Sequence, residues 1–123
     1  MCSQSVVKHL NQCKTIIAND GCHLKELLHP RNDPVDLPYS FSVAVLEAGK
    51  STYPHYLKQS EVYFILEGEG RLHIGNACFQ LTKGSTARVP PKQEQWLENT
   101  GQSDLRFIVI VSPPWQAEDD IRL

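Results

Sequence analysis

Long apolar runs are missing from this sequence. The longest, such as Phe107 to Val111, falls far short of the roughly 20 residues that a membrane-crossing helix needs, so no membrane partner is expected. A basic block is missing as well. Lys and Arg number 12 against 14 Asp and Glu, a formal charge of −2, and nothing is arranged to neutralise a run of phosphates, which excludes nucleic acid as a partner. Met1 to His9 has no basic stretch leading into an apolar one, so no secretory leader is expected and a soluble, cytoplasmic protein is. The four cysteines, Cys2, Cys13, Cys22 and Cys78, form no CxxC pair and read as free thiols, with Cys13 and Cys22 the one pair on neighbouring segments. Helix signals are scarce: a turn around Val6 to Asn11 and a possible start at Gln116 to Asp120. There is no internal repeat, no phosphate-cradling glycine loop and no nucleophile elbow.

What remains is strand signal. Short runs of Val, Ile, Tyr, Phe and Thr are punctuated by Gly, Pro, Asn and Asp, which predicts an all-β fold of ten strands with little helix. The strands are Lys14 to Ala18, Cys22 to Leu28, Tyr39 to Glu47, Thr52 to Leu57, Glu61 to Glu67, Arg71 to Ile74, Cys78 to Leu81, Thr86 to Val89, Gln95 to Glu98 and Leu105 to Val111. Gly68-Glu69-Gly70 and Gly75-Asn76 mark hairpins where positive φ is needed. The chain, 123 residues long, reads as one domain: N-terminal strands and a proline-rich loop over 1–38, a barrel core over 39–112 and a tail over 113–123. Val62 to Leu66 is apolar on both faces, and Phe41, Val43, Val45, Ile108 and Ile110 extend the apolar outer surface, so a homodimer is expected.

One stretch concentrates groups able to do chemistry. His55 and Leu57 share a strand face, and the turn at Lys58 to Ser60 returns Glu61 beside them, so an imidazole and a carboxylate converge. These are donors that divalent first-row metals accept. On a later strand Gln95, Leu97 and Asn99 share a face, and Gln95 is positioned to add a third donor. Tyr63, two residues after Glu61, is the preferred cavity hydroxyl. The plainer reading is a metal-free barrel in which Gln95 and His55 hydrogen-bond one another across a cavity lined by Leu57, Tyr63 and Ile65. In that reading Lys58 or an arginine neutralises Glu61. His73 reads as an ordinary exposed or hydrogen-bonded residue, and Trp96 and Trp115 as packing residues.

Gly49, His55, Glu61 and Gly68, followed by Gly84, Pro90 and Asn99, resemble the two sequence motifs of the cupin superfamily in register. The small single-domain, type-2 conserved-barrel group is the nearest in form. The resemblance implies a double-stranded β-helix, or jelly roll, with a metal site inside the barrel. The family's second histidine position holds Leu57, its last histidine position Gln95, and its second-motif glycine Lys92. The implied metal set is therefore His55, Glu61 and Gln95, holding iron, manganese, nickel or zinc, with Glu61 and Tyr63 as catalytic groups acting on a small oxygenated organic substrate. The reaction classes open to it are oxygenase, isomerase or epimerase, decarboxylase and lyase. The alternative is a non-catalytic small-ligand barrel with a degenerate or empty metal site.

Overall fold

The computed structural model describes residues 5–123 and holds eleven strands with two single 3₁₀ turns, Leu10–Gln12 and Ala117–Asp119. Cys2 lies outside the described residues. The strands are β1 Thr15–Ile17, β2 His23–Leu28, β3 Ser40–Leu46, β4 His55–Leu57, β5 Ser60–Glu67, β6 Gly70–Ile74, β7 Ala77–Leu81, β8 Thr86–Val89, β9 Gln95–Asn99, β10 Leu105–Ser112 and β11 Asp120–Arg122. They form a six-stranded sheet in the order β1-β2-β3-β10-β5-β8 and a five-stranded sheet in the order β11-β4-β9-β6-β7. Among the described residues every strand pairing is antiparallel. This is the expected jelly roll.

Alternation along the strands decides what enters the barrel. Along β3 burial alternates strictly, with Ser40, Ser42, Ala44 and Leu46 inside, and β10 sends in Leu105, Phe107, Val109 and Val111. Phe107, Ile65, Leu72 and Leu105 are among the largest fully buried side chains, each contributing about 2 kcal/mol of apolar burial. Toward one end of the barrel the inward positions turn polar: His55 on β4, Glu61 and Tyr63 on β5, Gln95 on β9. The period-two pleat thus puts the chemistry of several strands into one space.

Two regions depart from the sequence reading. The strand expected over Thr52 to Leu57 begins only at His55, because Pro54 has no N–H to give a ladder; Ser51 makes an isolated bridge with Glu98 instead. The helix start at Gln116 goes no further than the single 3₁₀ turn Ala117–Asp119. After that turn the tail becomes β11 and pairs Asp120 with Leu57, Ile121 with Tyr56 and Arg122 with His55. The edge of β4 would otherwise leave its backbone groups without partners, and β11 supplies them.

Turn chemistry holds the hairpins. Gly68 has φ +89°, and a Cβ there would sit 2.6 Å from the Asp104 carbonyl oxygen, so only glycine is accommodated. Lys92, at the family's glycine position, keeps the left-handed conformation with φ +65° while its N–H donates to the Leu57 carbonyl at 2.6 Å. Asn99 spends its whole amide on structure, donating to the Leu46 and Ser103 carbonyls and accepting from Gly101 N–H.

Candidate functional site

The strands β4, β5 and β11 and the β1–β2 hairpin loop bring Asp20, His55, Glu61, Tyr63 and Asp120 around one cavity of about 70 Å³. By the measure in which one water needs about 10–15 Å³, that is room for on the order of five water-sized groups. Its walls include Ala44, Leu57, Phe107, Val109 and Trp115, and its polar lining includes Asp20, His55, Glu61, Tyr63 and Asp120. Ile65, expected in the lining, is core.

Glu61, Tyr63 and Gln95 form a closed group. Gln95 Nε2 donates to Glu61 Oε1 at 2.6 Å, Tyr63 hydroxyl donates to Gln95 Oε1 at 2.6 Å, and the same hydroxyl lies 3.2 Å from Glu61 Oε1. Neither Lys58 nor an arginine neutralises Glu61 in this set, so the carboxylate's partners are an amide and a phenol. Burial pushes the Glu61 pKa up to about 7, partly offset by the His55 charge and the Gln95 bond. Burial also raises the Tyr63 hydroxyl well above its ordinary range. The Tyr63 ring is fixed edge-on to Phe107, with centroids 5.5 Å apart.

His55 does not bond Gln95. Its Nδ1 is 2.8 Å from Asp120 Oδ1, and its Nε2 faces Asp20 Oδ2 at 3.7 Å with no hydrogen-bond partner although it is buried. Burial lowers the imidazole pKa, but the Asp120 bond and then the charges of Asp20, Glu61 and Asp120 outweigh it, and the net shift is upward. Asp120 is itself oriented by Trp115 Nε1 at 3.0 Å and Asn19 Nδ2 at 3.2 Å. Burial alone would raise its pKa, yet the His55 bond and charge carry it below the ordinary value. Asp20 moves the other way, raised by burial against the pull of His55.

Asp20 and Asp120 are the site residues that the sequence reading missed. Asp20 reads as a turn residue before Gly21 and Asp120 as part of a helix start, and neither position carries a spacing that ties it to His55. Trp115, read as packing, also orients Asp120. His29, to which the sequence assigns no role, is buried, bonds the Trp115 carbonyl at 2.7 Å and accepts from Arg31 N–H, holding the loop after β2. His73 lies outside the cavity, stacked on Trp96 at 3.7 Å and bonded to Glu98 at 2.8 Å.

Residues 42–111 match the family described as Cupin domain. This chain is a cupin. It is 34% identical to an uncharacterised protein of Methanocaldococcus jannaschii over 97% of this chain and 96% of that one. It is 21% identical to L-ectoine synthase of Vibrio parahaemolyticus, covering 89% and 86% of the two chains. Among solved structures it superposes with a TM-score of 0.79 on Bacillus subtilis oxalate decarboxylase, a protein with Mn(II) centres, at 20% identity, covering 93% of this cupin but 31% of the larger chain. That likeness shows the fold. Asp20 and Asp120 both fall outside the matched residues and flank His55 on its two nitrogens.

The donor set answers whether a metal of that kind fits this cupin. Leu57 offers no donor, and both ends of the Gln95 amide are spent on Glu61 and Tyr63. Among the described residues no group of three or more His, Cys, Asp or Glu is placed to hold a metal ion. The residues as they stand do not fit a four-ligand centre.

Proposed function

We propose that this cupin binds a small oxygenated organic molecule in the barrel cavity and performs acid–base chemistry on it, with Glu61 as the proton-carrying group and His55 as the anchor. The observation that carries the reading is the buried Glu61–Gln95–Tyr63 group, opening on the same cavity as a histidine with a free ring nitrogen. A carboxyl held near neutrality is suited both to give and to take a proton at pH 7. Tyr63 donates to the Gln95 amide oxygen, and Gln95 Nε2 in turn donates to Glu61 and keeps the carboxyl oriented. Asp120 fixes the imidazole, as carboxylate partners of histidines do.

The test is a thermal-shift screen of small oxygenated metabolites against the wild type, Glu61→Gln and His55→Gln. Compounds that stabilise the wild type and neither variant are expected. A screen whose hits stabilise all three proteins equally would remove the site.

A second reading is favoured by one observation, the partnerless buried Nε2 of His55. In it His55, Glu61 and Gln95 would be the ligands of a divalent metal, whose chemistry when bound is that of a Lewis acid. Gln95 would have to release Tyr63 to offer its oxygen. Elemental analysis of protein purified without chelator, beside Glu61→Ala and Gln95→Ala, decides it: near-stoichiometric metal lost in both variants establishes the second reading over the first.

Two broader expectations belong with this reading. The half-buried outer residues Phe41, Val43, Val45, Ile108 and Ile110, with Phe64 at 38% exposure, support a homodimer through the six-stranded sheet. The free thiols at Cys13, Cys22 and Cys78, with no cross-link between the first two, support a cytoplasmic setting.

A further inference from the structure

We infer that the outer face of the six-stranded sheet carries a second small-molecule site, a pocket in which Arg106 and Lys25 take up the carboxylate of a short aliphatic acid. The inference is independent of the barrel cavity. Its residues stand on the outer side of the sheet whose inner side carries Glu61 and Tyr63.

Strand register builds the pocket. Lys25 on β2 stands opposite Val43 on β3, and Arg106 on β10 stands opposite Val45 of the same strand. Burial alternates along β3 so that Val43 and Val45 point outward, and residues directly opposite in a ladder share a face. Strands lie about 4.8 Å apart, so the two basic residues rise roughly 10 Å from one another with β3 between them. Both side chains reach one pocket of about 210 Å³. The first 3₁₀ turn closes one side of it with Leu10, whose carbonyl accepts from Lys25 Nζ at 3.3 Å.

The pocket gathers positive charge without a counterion. No Asp or Glu is among its described lining residues. Arg106 is half-buried, its Nε is buried with no hydrogen-bond partner, and among the described residues its guanidinium forms no ion pair. Glu67, the register neighbour of Arg106 on β5, is exposed and does not pair with it. His23, also in the lining, already lies 3.9 Å from the exposed Glu47, and the excess of charge does not depend on it. The whole chain carries −2, so this cluster is a local reversal of sign.

The two cations decide what fits. Lys and Arg side chains donate and have no lone pair, so the group they share must accept. A cation can bond neither and is repelled by both. A hydroxyl can accept but leaves both charges unbalanced in a half-buried setting, which is costly. A carboxylate offers two oxygens, one toward each side chain, and neutralises charge as it binds. Val43, Val45 and Leu10 then give an aliphatic body apolar surface to cover, whereas inorganic phosphate presents oxygen on every side.

The experiment titrates ¹⁵N-labelled protein with butyrate, n-butanol, n-butylamine and inorganic phosphate. Butyrate is expected to give saturable amide shifts centred on Lys25, Val45 and Arg106, and to bind at least about tenfold more tightly than the other three. Added sodium chloride should weaken butyrate and leave butanol unchanged. Arg106→Gln and Lys25→Gln, both outward-facing changes whose folding the rest of the amide spectrum checks, are each expected to weaken butyrate about tenfold, and Arg106→Lys less. Because Val43 and Val45 also belong to the apolar outer surface, the titration is run at two protein concentrations. Butyrate affinity that falls as protein concentration rises would make a carboxylate of a second copy the occupant and overturn the small-molecule site. Butanol or butylamine binding as tightly as butyrate overturns the anion class, and phosphate binding as tightly overturns the aliphatic body. Butyrate shifts absent from Lys25 and Arg106, or an affinity unchanged in both Gln variants, overturn the site itself, and none of these outcomes bears on the barrel cavity.

Discussion

His55 on β4 and Asp120 on β11 meet through a 2.8 Å hydrogen bond between Nδ1 and Oδ1, although 65 positions separate them in the chain. The bond ties the last strand to the site and sets which ring nitrogen is left to meet a ligand. Removing the carboxylate by Asp120→Ala leaves His55 and Trp115 Nε1 short of their acceptor, while Asn19 Nδ2 keeps the Asp120 carbonyl. The expected loss is about 3 kcal/mol in urea unfolding, with a fall in the His55 pKa measured by NMR. Asp120→Asn keeps one acceptor toward His55 and should cost less, with the pKa still falling.

Glu61 gives the fold a definite pH response. Its pKa of about 7 lies above its ordinary value of 4.5, so the stability it contributes is fully present below pH 4.5 and is lost as pH rises through 7. At about 1.4 kcal/mol per pH unit, the loss across that range is on the order of 3 kcal/mol. The raised values of His55 and Asp20 act in the same direction. Urea midpoints measured from pH 4.5 to 8 should fall for the wild type and fall less steeply for Glu61→Gln.

Lys92 bears a cost that a glycine would not. At φ +65° a side chain with a Cβ is disfavoured by about 1–2 kcal/mol, part of which is offset by the lower unfolded-state entropy of lysine. Lys92→Gly is expected to stabilise the protein by about 0.5–1 kcal/mol in thermal or chemical unfolding.

Thiol reactivity distinguishes the cavity from the surface. Cys78 is exposed, whereas Cys22 is 2% exposed and burial, with the Asp20 charge beside it, pushes its thiol pKa up. Iodoacetamide followed by peptide mass mapping should modify Cys78 in the native protein and Cys22 only after denaturation.

Restoring the family's histidines tests why a metal centre is not assembled. Leu57→His with Gln95→His adds two imidazole donors beside His55 and Glu61 and frees Glu61 from the Gln95 amide. The double variant is expected to bind near-stoichiometric zinc or manganese by elemental analysis, well above the wild type treated in parallel.

The strands were legible because alternation and turn residues are local properties. Val62 to Leu66 and Leu105 to Val111 announce themselves by β-branched and aromatic residues, and the hairpins by Gly68 and Gly75, which take the left-handed φ that such turns need. The cupin motifs add register, which is why Glu61, Tyr63 and Gln95 could be placed on inward faces before any coordinates. The C-terminal end goes further than its composition indicates: the helix start at Gln116 yields one 3₁₀ turn, and the unpaired edge of β4 then draws Asp120–Arg122 into a strand, a long-range demand that local composition does not encode.

The sequence by itself determined the all-β class, the hairpins and the convergence of His55, Glu61, Tyr63 and Gln95, because a period-two pleat carries residue identity directly to a face. Only the tertiary structure decided how those groups are used. It turned Gln95 to Glu61 and Tyr63 instead of His55, and it brought Asp20 and Asp120 from the two ends of the chain to the two nitrogens of one imidazole. Barrel closure makes such neighbours across the fold, and hydrogen bonding among buried polar groups then selects their partners.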